Sequence, residues 1–156
     1  MIERVVELSP EKAFEELRSL LLKNKCKITA EEQTKSITVE QGSLWGVSPK
    51  GTKKTISFHL IPKDSETRIV SISSLTSDWI ILSAVAYVLL GMMSVLFWWF
   101  ATSLESSTLF EFSVAVSYFK ILSILGAIGV IVQLLFDVYI YAKIDSFAEE
   151  TLRLLP

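Results

Sequence analysis

Hydrophobic and polar positions along this chain follow two regimes. Through the first 76 residues they alternate at strand or helix spacing, as in a fold that faces water. Beyond that, two long stretches are almost wholly apolar. Ile2–Leu8 alternates and is rich in β-branched residues, so it predicts a strand. Ser9-Pro10-Glu11 supplies an N-cap, a proline at the first helical position and an acid in the first turn. The helix predicted over Pro10–Asn24 gathers Ala13, Phe14, Leu17, Leu20 and Leu21 on one stripe, and Glu11, Glu15, Arg18 and Lys23 fall away from it.

Four more strand-like runs follow. Cys26–Glu31 is expected to put Cys26, Ile28 and Ala30 on one face, and Ser36–Gln41 to do the same with Ile37 and Val39. Thr55–Ile61 offers Ile56, Phe58 and Leu60, and Thr67–Leu75 offers Ile69 and Ile72. Lys63-Asp64-Ser65-Glu66 reads as the hairpin turn between the last two. The order β-α-β-β-β-β with short links favours antiparallel neighbours. The expected fold class is therefore α+β, a two-layer domain with one helix on an antiparallel sheet, over residues 1–76.

Residues 77–142 read differently. Trp79–Ala101 contains no charged residue, and Ile121–Ala142 contains one, Asp137. A bilayer core of about 30 Å needs roughly 20 apolar helical residues to cross it. The expectation is a transmembrane helical hairpin with crossings at 79–101 and 121–142. Trp79, Trp98-Trp99-Phe100, Tyr118-Phe119, Tyr139 and Tyr141 would sit at its interfaces. Residues 143–156 extend the second helix as an amphipathic tail. Its stripe of Ile144, Phe147, Ala148, Thr151, Leu152 and Leu155 needs a cover, either the soluble domain or the same helix of a second copy.

Charge orients the scheme. Residues 1–78 hold 12 of the 15 Lys and Arg and 11 of the 17 Asp and Glu, a mixed surface with a net charge near +1. The connecting segment, Thr102–Ser117, has Glu105 and Glu111 but no Lys or Arg. Lys63, Arg68, Lys143 and Arg153 lie on the other side, and Lys120 at the edge weakens the contrast. The bias predicts a multi-pass protein of the cell membrane with both termini cytoplasmic. The overall charge of −2 gives no support for nucleic-acid binding. Cys26 is the single cysteine, which rules out an internal disulfide or a cysteine-based zinc cluster.

The two apolar helices carry matching stripes. Ser83, Tyr87, Gly91, Ser94 and Trp98 recur on the first, and Ser123, Gly126, Gly129 or Val130, Gln133, Asp137 and Tyr141 on the second. Depths counted at about 1.5 Å per residue set Ser83 level with Asp137, Tyr87 with Gln133 and Gly91 with Gly129. The expectation is an antiparallel hairpin sealed by small residues, with Ser83 or Tyr87 hydrogen-bonded to Asp137 or Gln133. Asp137 is either structural, reaching interfacial water or Lys143, or part of a partner-binding site or conduction path.

The soluble domain has one conspicuous loop, Gly42–Lys54, which combines glycines, Trp45, Lys50, Lys53 and Lys54. It reads either as a finger for a membrane surface or partner, with the lysines on anionic lipid, or as Trp45 capping the sheet with the lysines solvated. His59 is expected on the polar parity of its strand and Cys26 in the core. No nucleophile elbow, zinc-protease, P-loop or Rossmann pattern occurs, so no catalytic, metal or cofactor site is expected. The sequence therefore points to a non-enzymatic membrane-anchored module that binds a partner protein or small amphipathic ligand, as an accessory or adaptor subunit. The alternative is a homo-oligomeric channel or transport element whose Ser/Tyr/Gln/Asp stripe lines a pathway.

Overall fold

A computed structural model describes residues 1–63, 66–106 and 113–156. The fold is α+β, with one five-stranded antiparallel sheet and the element order β1 (Ile2–Val6), α1 (Pro10–Lys23), β2 (Lys27–Glu32), β3 (Ser36–Gln41), β4 (Lys54–Lys63), β5 (Glu66–Leu75), α2 (Ser77–Glu105), α3 (Ser113–Ala142) and α4 (Ser146–Arg153). The chain forms two compact units. Met1–Ile80 with Tyr139–Pro156 make the first, and Ile81–Val138 the second.

In the first unit the strands lie in the order β1-β5-β4-β3-β2. Alternation decides which side of each strand is buried. Ile37, Val39, Ile56, Phe58 and Ile69 are fully buried on the face that receives α1. Ala13, Phe14, Leu17 and Leu21 form the buried stripe of that helix, and Leu20, also expected on it, is half-buried against the core. Pro10 opens the helix where no intrahelical N–H is needed. The chain leaves it through Lys25, whose φ of 57° is left-handed. The turn expected at Lys63–Glu66 falls partly outside the described residues, but Lys63 and Glu66 pair at the end of the β4–β5 ladder.

Two strand faces differ from the alternation. In β2, Ile28 pairs with Val39 and Ala30 with Thr38, so a bulge at Thr29 sets two residues against one. The extra residue breaks the parity. Cys26 is buried, Ile28 half-buried, and Ala30 turns out to solvent. In β5, Ile69 and Ile72 are three residues apart and cannot share a face of a regular strand. Ile69 is buried opposite Leu60, whereas Ile72 pairs with Ser57 on the outer face and is 48% exposed.

The tail is also not an extension of the preceding helix. α3 ends at Ala142, the chain turns through Lys143–Asp145, and α4 is a separate two-turn helix. Its stripe of Phe147, Ala148, Thr151, Leu152 and Leu155 is buried, and the apolar members join the core of the sheet domain. Thus α1 and α4 together form the helical layer. The cover for the tail stripe is the domain of its own chain.

The second unit is an antiparallel helix pair. α2 and α3 contain eighteen-residue stretches with mean hydropathy 2.4 and 2.3, long and apolar enough to cross a membrane. Both helices run past the expected 79–101 and 121–142, so the connection between them is shorter than the segment expected at 102–117.

Candidate functional site

Two constellations can be built from the residues upward, one in each unit. In the helix pair, Asp137 is the only charged residue in the apolar run Ile121–Ala142 of α3. Its Oδ2 accepts the Ser83 hydroxyl at 2.5 Å and its Oδ1 accepts the Gln133 amide at 2.9 Å. Tyr87 is half-buried and interacts electrostatically with the same carboxylate. Gln133 reaches it along one helix face, four residues away, whereas Ser83 reaches it from the facing helix. Lys143, the alternative partner considered for Asp137, is not among these contacts.

Higher on the pair, Ser94 and Ser123 bond reciprocally. Each hydroxyl donates to the other's backbone carbonyl at 2.8 Å. The contact is close because Gly126 has no side chain. A Cβ there would stand 3.1 Å from Ser94 Cβ and 3.3 Å from the Ser94 backbone. Phe119 then stacks on Phe97 and Phe100 at ring separations of 6.0 and 5.8 Å. Lys120 pairs with Glu105 at 3.0 Å.

The expected pairing of Gly91 with Gly129 does not form. Nothing lies within 4 Å of a Cβ at Gly91, and Gly129 packs against Leu90. The reason is rotational drift. Steps of four residues advance about 40° each at 3.6 residues per turn, so Gly91 stands about 80° from Ser83, and Leu90 and Ser94 only about 20°. The same arithmetic keeps Gly126 near Asp137 and turns Gly129 away. Matching depth was legible in the sequence; matching azimuth needed this count.

The second constellation is the Gly42–Lys53 loop and its base. Gly42 adopts φ 91°, where a side chain would be strained and its Cβ would lie 2.3 Å from Thr52 O. Ser43 N–H donates to Gly51 O at 2.7 Å, and Lys53 N–H to Ser43 O at 3.0 Å. The Thr52 hydroxyl is fully buried and donates toward both Ser48 O and Gly46 O, at 2.8 and 3.1 Å. The loop is therefore closed on itself, a compact Ω-shaped excursion. Trp45 is 80% exposed at its surface and does not cap the sheet.

The three lysines are each engaged within the domain. Lys50 pairs with Glu150 of α4, and Lys53 pairs with Asp78 at the start of α2, at 2.7 Å. Lys54 is neither solvated nor available to lipid, because it is fully buried on the core parity of β4. Its ammonium donates to Pro49 O at 2.6 Å and Ile144 O at 3.2 Å, and lies 5.8 Å from the centre of the Phe147 ring. Burial lowers its pKa to about 8, against the opposing pull of the Asp145 carboxylate. Burial by itself would raise Asp145. The Met1 amino group 2.7 Å away and the nearby Lys54 charge hold it below its usual value. Sequence reasoning missed this role of Lys54; its even spacing with Ile56, Phe58 and Leu60 was the available signal.

His59 is exposed on the outer face, as its parity predicts, and Cys26 is buried with its thiol pKa raised by burial. Among the described residues, no three His, Cys, Asp or Glu side chains gather where a metal ion could sit. No family model, no curated protein and no solved structure matches the chain.

Proposed function

We propose that this chain is a non-enzymatic membrane-anchored module, in which α2 and α3 cross the bilayer as a hairpin and the sheet domain works at the membrane surface. The domain acts as an accessory or adaptor unit that holds a partner protein or a small amphipathic ligand. The apolar side chains of the helices support the crossing. Ile81, Val88, Leu89, Ile124, Leu125 and Leu135 are all more than half exposed. A patch of this size is not tolerated in water, and lipid is the solvent that fits it. The excess of basic residues on the side of the termini supports a cytoplasmic sheet domain.

The observation that carries the anchor reading is the closure of the polar stripe within one chain. Asp137 takes donors from Ser83 and Gln133, and Ser94 and Ser123 satisfy each other. Polar groups paired this way hold two helices together. A conduction path needs such groups turned toward water.

Proton and cation flux in liposomes tests the choice. Under the anchor reading the wild type leaks no faster than empty vesicles, and Asp137→Asn changes nothing. Flux that Asp137→Asn abolishes would make the chain a channel element. Native mass spectrometry of the protein taken from its own membranes then reads the partner: a single copy holding a different protein or a lipid is expected, and a defined homo-oligomer counts against the adaptor role.

A further inference from the structure

In the first unit, the aromatic side chains beside the ends of the two apolar helices are not all exposed as the sequence suggests. Trp79, at the start of the charge-free run of α2, is 7% exposed and belongs to the interior. Tyr139 and Tyr141, at the end of α3, are 53% and 70% exposed. Trp45 and Val47 are barer still, at 80% and 81%, although the loop that carries them is bonded to itself throughout. A closed loop that holds a tryptophan and a valine out in water gains nothing from doing so. A tryptophan with an apolar body and one N–H donor suits a membrane interface.

The base of this loop is tied to both helix ends. Lys53 O accepts the Thr76 N–H at 3.4 Å, and Lys53 Nζ pairs with Asp78, the residue before Trp79. On the other side Lys54 Nζ reaches Ile144 O, just past the end of α3. Ser43 is bonded to Lys53, and Trp45 is two residues on, so its Cα lies within about 7 Å of Ser43 along the chain. The headgroup zone on each side of a bilayer is about 5–8 Å thick. A loop rooted where the helices leave the hydrocarbon thus has the reach to enter that zone.

We infer that the Trp45–Val47 tip inserts into the headgroup region of the membrane that α2 and α3 cross, as a third attachment of the sheet domain to the lipid surface. The attachment is apolar. Lys50, Lys53 and Lys54 are already bonded to Glu150, Asp78 and backbone carbonyls, so they contribute no attraction specific to anionic lipid. This rests on the membrane-anchor reading, and it adds that the domain is held against the surface by a built loop as well as tethered by its helices.

Tryptophan quenching on the full-length protein in phosphatidylcholine vesicles tests it. Four tryptophans are present, so the spectrum lost in Trp45→Phe isolates Trp45 without disturbing the buried Trp79. A nitroxide carried near the lipid headgroup is expected to quench Trp45 strongly, and aqueous iodide to quench it weakly. Adding phosphatidylglycerol is expected to leave both unchanged. Val47→Asp, on an exposed site that leaves the loop bonds intact, is expected to return Trp45 to iodide. The tryptophans remaining in Trp45→Phe include Trp98 and Trp99 on α2, which report the crossing separately. If lipid quenches them while Trp45 answers only to iodide, the tip contact is wrong and the anchor stands. If lipid quenches neither, both fall. Lipid quenching of Trp45 only in anionic vesicles overturns the apolar contact. Shielding seen only in native membranes overturns the lipid and points to a protein occupant.

Discussion

Replacing Lys54 with methionine should remove one specific pH dependence from the stability of the sheet domain. The ammonium is fully buried, and burial lowers its pKa from 10.5 to about 8. Each pKa unit is worth about 1.4 kcal/mol between the two protonation states, so the charged form carries a penalty of about 3 kcal/mol in the folded domain. Below pH 8 Lys54 is protonated in both folded and unfolded chains, and the whole penalty is present. Between about pH 8 and 10.5 the folded chain releases the proton and the unfolded chain keeps it, so stability rises with pH; above 10.5 the penalty is gone. Cys26 works the other way. Its folded thiol pKa is raised above 9.0, so the unfolded chain ionises first and stability falls as pH rises past that value. A Cys26→Ser background removes this opposing slope.

The assay is thermal loss of the β-sheet amide I band in detergent, which the two long helices do not share. From pH 7.5 to 10 the background protein should gain at least about 1 kcal/mol over its Lys54→Met derivative, or about 4–8 °C for a domain of this size. Parallel profiles for the two proteins would refute the reasoning, because they would mean that the ammonium is not desolvated in the fold.

The other predictions concern packing. Cysteines at Ser94 and Gly126 should crosslink within one chain and a pair at Gly91 and Gly129 should not; the reverse, read by gel shift on diluted vesicles, would show a different helix azimuth. Gly126→Val should weaken the helix pair by about 1–3 kcal/mol through overpacking against Ser94, whereas Gly91→Ala should be silent in steric-trapping measurements. Ile69→Ala should cost about 2–5 kcal/mol of domain stability as a core truncation, and Ile72→Ala less than about 1 kcal/mol because its side chain is half exposed. Leu152→Ala should cost about as much as Ile69→Ala, since α4 is part of the core; a loss under about 0.5 kcal/mol would detach the tail from the domain.

The strand and helix order was legible because periods of 2 and 3.6 are properties of local sequence. The misreadings all fall where a neighbour intervenes. A bulge opposite β3 turned Ala30 outward, and the pairing of Ile72 with Ser57 put it on the outer face. Helix rotation replaced the Gly91–Gly129 contact by Ser94–Gly126. Of the candidate residues, Ser83, Gln133 and Asp137 were found because a polar group in an apolar run is conspicuous and must find a partner. Lys54 was read as a loop charge because a lysine ordinarily lies in water.

What the sequence determined by itself is the division of the chain into an alternating half and an apolar half, and the elements within each. Hydropathy and periodicity are written residue by residue and need no partner. Only the tertiary structure decided that the tail folds back as α4 into the core of its own domain and that Lys54 is buried beneath its first turn. It likewise decided that Trp79 lies inside while Trp45 stands bare. These outcomes depend on which surfaces meet, and burial is settled by the neighbours a residue acquires in three dimensions.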